Sequence, residues 1–125
     1  MPKIAIIIPC HNEAAHISTI LKALQQLKNS DLTIVVLDDG SSDNTTAVAR
    51  AKTPFVLRHR INLGKGAALR TGCDFAFEFL GVDYVVLMDA DEQHSVADLP
   101  LFLAQIEKGT TLMLGVRSFA GMPKM

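Results

Sequence analysis

Short apolar runs alternate along this chain with segments whose apolar residues recur every three or four positions. Residues 3–9 (Lys-Ile-Ala-Ile-Ile-Ile-Pro) are apolar at every position after the first, the pattern of a strand covered on both faces in the middle of a parallel sheet. After the loop Cys10-His11-Asn12-Glu13, the residues Ile17, Ile20, Leu21, Leu24 and Leu27 keep helical spacing, and Asn12 is the predicted N-cap of that helix. Residues 32–37 predict a second strand, which runs into Asp38-Asp39-Gly40-Ser41-Ser42-Asp43, and a short helix follows over 44–52. A third, weaker strand over 54–58 leads into Arg58-His59-Arg60-Ile61-Asn62-Leu63-Gly64-Lys65-Gly66. The next helix is predicted over 67–80, with Leu69, Cys73, Ala76, Phe77 and Leu80 on one face and Gly81 as its stop. Residues 83–88 predict a fourth strand. A turn over 95–98 precedes a helix with Pro100 near its start, where a missing N–H costs little. That helix ends near Lys108-Gly109, and a fifth strand over 111–116 leads to Arg117-Ser118.

Strands that alternate with helices imply right-handed crossovers, hence an α/β fold with a mostly parallel sheet and helices on both faces. In such sheets ligands bind beyond the carboxyl ends of the strands. The polar clusters of this chain fall at those predicted ends: Pro9 to Glu13, Asp38 to Ser41, Asp89 to Gln93, and Gly115-Val116-Arg117. At 125 residues the chain is expected to form one domain, spanning 1–125. A net charge of −1 argues against a nucleic-acid partner held by a general basic surface. No apolar run reaches the length of a membrane helix, and no secretory leader is expected, so the expected location is cytoplasmic. Cys10 and Cys73 are too few and too far apart for a zinc site or a disulfide framework, and are expected as packed, reduced thiols.

The densest chemistry is Leu87-Met88-Asp89-Ala90-Asp91-Glu92-Gln93-His94. In extended backbone, side chains two apart point the same way, so Asp89 and Asp91 present their carboxylates together. Like charges held that close call for a cation, and a hard divalent ion such as Mg²⁺ or Mn²⁺ with oxygen ligands keeps positions open for phosphate oxygens. Gln93, two further on, offers a neutral oxygen as a third ligand. Taken alone, an Asp-x-Asp is more often a solvated turn and Arg117 a surface residue, while Glu13 is as readily a complement to a helix N-terminus and Asp39-Gly40 as readily a turn. The loop 62–66 opens a helix and turns backbone N–H groups toward an anion, although the G-x-x-x-x-G-K-[ST] spacing of a phosphate loop is absent.

Ile8-Pro9-Cys10-His11-Asn12-Glu13, Val35-Val36-Leu37-Asp38-Asp39-Gly40-Ser41-Ser42-Asp43-Asn44-Thr45, Asn62-Leu63-Gly64-Lys65-Gly66-Ala67-Ala68 and Met88-Asp89-Ala90-Asp91 stand in that order. Together they resemble family-two glycosyltransferases of the GT-A fold, whose donor half is a Rossmann-like nucleotide-sugar-binding unit. The continuation Glu92-Gln93-His94 and the later Gly115-Val116-Arg117-Ser118 are most similar to the dolichyl- or polyprenol-phosphate mannose and glucose synthases. The resemblance runs from Ile4 to about Arg117 and implies a role for each matching residue. Pro9, His11 and Glu13 would lie along the nucleotide, Asp39 would accept hydrogen bonds from the base, and Leu37 would pack near it. Asp89, Asp91 and Gln93 would hold Mg²⁺ or Mn²⁺ against the two phosphates, the two aspartates being the catalytic pair. Ala90 would lie against the ribose, and Lys65 and Arg117 would meet the phosphates.

The implied activity is a metal-dependent, inverting transfer of a hexose from a GDP-mannose or UDP-glucose type donor to a polyprenyl phosphate or similar acceptor. An ionised phosphate acceptor needs no general base, and a lipid-linked one would bring the chain to the cytoplasmic face of a membrane. The second half of the family's catalytic domain, which holds the acceptor, is expected to be missing, so the alternative is a donor-binding module inactive alone. A signalling receiver domain also clusters aspartates around Mg²⁺. It would need paired acids where Pro9-Cys10-His11 stands and a lysine where Arg117 stands.

Overall fold

The computed structural model describes residues 3–28, 30–90 and 93–107. Four strands, β1 (Ile4–Cys10), β2 (Leu32–Asp39), β3 (Val56–His59) and β4 (Tyr84–Leu87), form one sheet in the order β3-β2-β1-β4. Every pairing is parallel. The helices are α1 (Ala14–Gln25), α2 (Thr45–Arg50), α3 (Lys65–Phe75) and α4 (Leu99–Glu107). One π-helical turn (Ala76–Leu80) extends α3, and a 3₁₀ segment (Gln93–Asp98) precedes α4.

β1 is the central strand and is buried at every residue. Its alternating side chains divide the core in two. Ile4, Ile6, Ile8 and Cys10 pack with Ile17, Ile20, Leu21 and Leu24 of α1, Ala49 of α2 and Leu99 of α4. Ala5 and Ile7 face the other way, toward Leu69, Cys73 and Ala76 of the α3 side. Helices therefore cover both faces, as the apolar run predicts. Pro9 sits in this strand without breaking it. Ile7 O accepts the Met88 N–H at 3.0 Å, and Pro9 turns its nitrogen to the same side two residues later, past the last β4 pairing at Ile7–Leu87.

The chain steps outward from β1 to β2 to β3, then α3 carries it back across the other face to β4 on the far side of β1. Right-handed crossovers make that reversal of direction a change of face. It also opens a crevice between the loops at the carboxyl ends of β1 and β4.

Several sequence expectations need correction. Asn12 does not cap α1: Glu13 holds the cap position, and Asn12 adopts a left-handed φ of 54° that turns its side chain elsewhere. Leu27 lies beyond the end of α1, although it still packs against the core. α3 begins at Lys65 rather than 67, with the Ala68 N–H reaching Gly64 O at 3.0 Å. Phe77 is 48% exposed instead of joining the apolar face, because the wider π turn shifts the register of the last residues about the axis. Gly81 stops the helix at φ 64°, as expected. The predicted fifth strand over 111–116 lies outside the described residues.

Candidate functional site

The end of β2 sets the site. Strand alternation turns Asp38 and Asp39 to opposite faces. Asp38 is fully buried, accepts the Ser41 N–H at 2.9 Å and takes the Thr46 hydroxyl on its other oxygen. Arg58 braces the same turn, donating to Thr46 Oγ1 at 3.2 Å and to Ser41 O at 2.9 Å. Asp38 is thus a structural acid.

Asp39 faces the loop that joins β3 to α3. Its Oδ1 accepts the Nδ1–H of His59 at 2.8 Å and the Leu63 N–H at 2.9 Å, and its Oδ2 accepts the Gly64 N–H at 2.8 Å. His59 is anchored on its other side, where Nε2 stands 2.9 Å from Thr71 Oγ1 of α3. Burial alone would push the Asp39 carboxyl up, but hydrogen bonds from Leu63, His59 and Gly64 outweigh it and hold the carboxyl below its ordinary value. Between Asp39 and the loop lies Gly40, at φ 71°. A Cβ there would stand 2.4 Å from the Ile61 carbonyl carbon and 2.5 Å from the Asn62 nitrogen. Only glycine allows the loop to lie this close.

The β1 end joins the same network. His11 donates from Nδ1 to the backbone oxygen of Asp39 at 2.9 Å. Asn12 accepts the Ser42 N–H at 2.8 Å and the Asp43 N–H at 3.3 Å, while its own N–H donates to Ser41 Oγ at 2.8 Å. Glu13 donates its N–H to Thr45 Oγ1 at 3.0 Å and accepts from His16 Nδ1 at 2.8 Å. Cys10 is buried, and burial reinforced by Asp38 and other nearby acids pushes its thiol up to about 12. It is a packed thiol rather than a nucleophile, as its sequence context suggests.

β4 delivers Asp89 and Ala90 to the opposite wall. Lys65, the first residue of α3, places Nζ 2.7 Å from Asp89 Oδ1, with the lysine side chain 49% and the aspartate 17% exposed. These walls enclose a cavity of about 290 Å³ at the crevice. Seven of the residues singled out from sequence line it: Pro9, His11, Glu13, Asp39, Lys65, Asp89 and Ala90. Leu37 does not, since it is fully buried within the sheet. Asp91, Arg117 and the side chain of Gln93 lie outside the described residues. Cys10, Asn62, Gly64 and Ala68 also line the cavity, and His59 and Thr71 support it from behind. The sequence signal for His59 was its place at a strand end, obscured because the third strand was expected to stop at Arg58.

Among the described residues no three His, Cys, Asp or Glu side chains converge on a metal position. Of the three expected metal ligands, Asp89 is the one whose side chain the structure describes; it brings to the cavity the carboxylate oxygen that a hard divalent ion takes, and a cation there would have to displace Lys65 Nζ, 2.7 Å from Oδ1. The cavity can therefore receive an anion at Lys65 and a hydrogen-bond donor at Asp39.

The Glycosyl transferase family 2 model matches residues 5–124. The chain is 31% identical to dolichol-phosphate mannosyltransferase of Pyrococcus furiosus, over 95% of this chain and 34% of that protein. It is 34% identical to UDP-N-acetylglucosamine–dolichyl-phosphate N-acetylglucosaminyltransferase of Methanococcus voltae, over 77% of this chain and 44% of the relative. Among solved structures, glucosyl-3-phosphoglycerate synthase from Mycobacterium tuberculosis, bound to Mn²⁺, UDP-glucose and phosphoglyceric acid, is similar with a TM-score of 0.68. That likeness is at 25% identity and covers 86% of this chain and 40% of the synthase. The chain spans roughly a third to a half of the length of the curated relatives it matches, from 34% to 53%.

Proposed function

Because this chain belongs to glycosyl transferase family 2, we propose that it binds the donor in a metal-dependent, inverting hexose transfer from a nucleotide-diphospho-sugar to a polyprenyl phosphate or similar acceptor. The observation that carries this reading is the gathering of Asp39, Lys65 and Asp89 with Pro9, His11 and Glu13 around one cavity at the switch point of a parallel sheet. Asp39 offers a carboxylate to the base, and the β1-end segment lies along the nucleoside. Ala90, small and 4% exposed, leaves room for a ribose. Lys65 and Arg117 supply charge-assisted hydrogen bonds to the phosphates. Mg²⁺ or Mn²⁺, held by Asp89 with Asp91 and Gln93, would supply Lewis-acid stabilisation of the diphosphate leaving group. Lys65 contributes in the same sense, since its charge favours the leaving diphosphate, which carries one more negative charge than the bound donor.

Two relatives are named for dolichyl-phosphate chemistry, and a phosphate acceptor, already ionised at neutral pH, needs no general base. A lipid-linked acceptor would bring the protein to the cytoplasmic face of a membrane. No described helix is long and apolar enough to cross one. The test is calorimetric titration with UDP-glucose and GDP-mannose, with and without Mn²⁺, followed by transfer of labelled sugar to polyprenyl phosphate. Mn²⁺-dependent binding with transfer is the expected result. Binding without transfer would assign the 125-residue chain as a donor-binding module inactive alone, and no binding of either donor would overturn the reading.

A further inference from the structure

The ion pair at the crevice puts a resident cation where a dissolved one is expected. Lys65 Nζ lies 2.7 Å from Asp89 Oδ1, and both residues line the cavity. Asp89, Asp91 and Glu92 place three acids within four residues of sequence, a density that calls for a counter-charge even when no ligand is bound. Lys65 can leave that place at low cost. Its side chain is 49% exposed, and it stands between Gly64 and Gly66, where an added Cβ would meet no atom within 4 Å. A half-exposed pair of this kind shifts an equilibrium by at most about fivefold. A divalent ion on Asp89 repels an ammonium held on the same carboxylate, so each excludes the other. A diphosphate arriving at the first turn of α3 acts in the opposite sense. Its oxygens offer Nζ a more highly charged partner than one carboxylate, and the helix N-terminus favours an anion at the same spot.

We propose that Lys65 is a placeholder for the divalent ion: in the ligand-free protein it occupies Asp89, and the donor's diphosphate draws it off, so that the cation binds tightly only together with the nucleotide. This rests on the proposed donor-binding function. The coupling is reciprocal, because a bound cation sends Lys65 to the phosphates as much as the phosphates draw Lys65 away from Asp89. A direct bond from the cation to the phosphates adds coupling of its own. Only the exchange at Lys65 also weakens the binding of the cation by itself.

The experiment is titration of the 125-residue chain with Mn²⁺ alone, followed by the paramagnetic resonance signal of the unbound ion. It is paired with calorimetry of UDP without Mn²⁺ and in saturating Mn²⁺, on the wild type, Lys65→Met and Lys65→Arg. Methionine keeps the length of the side chain, removes the charge and brings a sulfur that a hard cation does not favour. Arginine keeps the charge and pairs with a carboxylate. Lys65→Met is expected to bind Mn²⁺ alone about two- to fivefold tighter than the wild type. The gain in UDP affinity from Mn²⁺ falls by a similar factor in that variant, and Lys65→Arg behaves as the wild type in both measurements. Three results overturn the assignment while leaving donor binding intact: a gain in Mn²⁺ affinity below about twofold in Lys65→Met, Mn²⁺ alone undetectable in both proteins, or Lys65→Arg binding Mn²⁺ as tightly as Lys65→Met. Failure of the wild type to bind UDP with or without Mn²⁺ removes the donor-binding reading and this inference with it. Should Lys65→Met not fold, Lys65→Leu carries the same comparison.

Discussion

Consecutive aspartates at the end of β2 do different work because a strand sends neighbours to opposite faces. Asp38 ties its own turn to α2, while Asp39 holds the loop before α3. The Asp39 carboxyl is held below its ordinary value, so the folded state releases its proton more readily than the unfolded chain. Its contribution is present above the unfolded value near 3.8 and is lost as pH falls through the lower, folded value. Asp39→Asn should lower stability by about 1–3 kcal/mol at neutral pH, and the deficit should shrink in acid, where the native carboxyl is itself protonated. Urea unfolding at a series of pH values checks this, and a deficit independent of pH would contradict it. Gly40 gives the sharper test of the loop. Alanine there meets both a left-handed φ of 71° and backbone atoms of Ile61 and Asn62 within 2.5 Å. We expect Gly40→Ala to cost about 2 kcal/mol or more and to weaken nucleotide binding, as read by denaturant melts and calorimetry.

At the scale of elements, α3 approaches the sheet through Gly72. A Cβ at that position would lie 2.5 Å from Ile7 Cγ2. Alanine gains about 1 kcal/mol of helix propensity over glycine, but overpacking against a central strand costs about 1–3 kcal/mol. Gly72→Ala is therefore expected to destabilise by about 1 kcal/mol, and Gly72→Ala with Ile7→Ala to cost less than the sum of the two single changes. Additive effects in a double-mutant cycle would show that the two side chains do not compete. The same helix shows which elements a sequence discloses. β1 and β2 were legible because short apolar runs rich in branched residues and bounded by turn residues suit a buried strand. The start of α3 was not, because Gly64 and Gly66 flank Lys65 and read locally as loop. Asn12 stands where a cap would in sequence, yet its partners, Ser42 and Asp43, are about thirty residues away. The cap-like contact belongs instead to Asp43, whose carboxylate accepts the N–H of Thr45 at 2.9 Å and of Ala14 at 3.4 Å. Spacing along the chain carries no information about such pairs.

Across the whole molecule, the order β3-β2-β1-β4 brings acids from β2 and β4 to one crevice although fifty residues separate Asp39 from Asp89. Strand ends alone pointed to most of this site, since parallel strands bring their carboxyl ends to one edge of the sheet. The pairings were hidden: His59 meets Asp39 through the register of β2 against β3, Lys65 meets Asp89 because α3 crosses to the opposite face, and neither follows from any local pattern. That crossing also separates the fold's stability from the site's charge. Asp89 and Lys65 pair at the rim with the lysine half exposed, and such ion pairs contribute about 0–1 kcal/mol. Loss of this pair in Asp89→Asn should therefore contribute only about 0–1 kcal/mol to any shift in unfolding, while the substitution removes most of the gain in UDP affinity that Mn²⁺ provides, because a neutral amide oxygen is a poorer ligand for a hard cation than a carboxylate. Lys65→Gln should weaken UDP binding with and without Mn²⁺, since in the proposed function its charge would meet the phosphates directly. Calorimetry of both variants against UDP, paired with urea unfolding, distinguishes the two roles. If Asp89→Asn kept the full Mn²⁺ dependence of the wild type, the cation would have to sit elsewhere in the protein, and the crevice would serve the nucleotide alone.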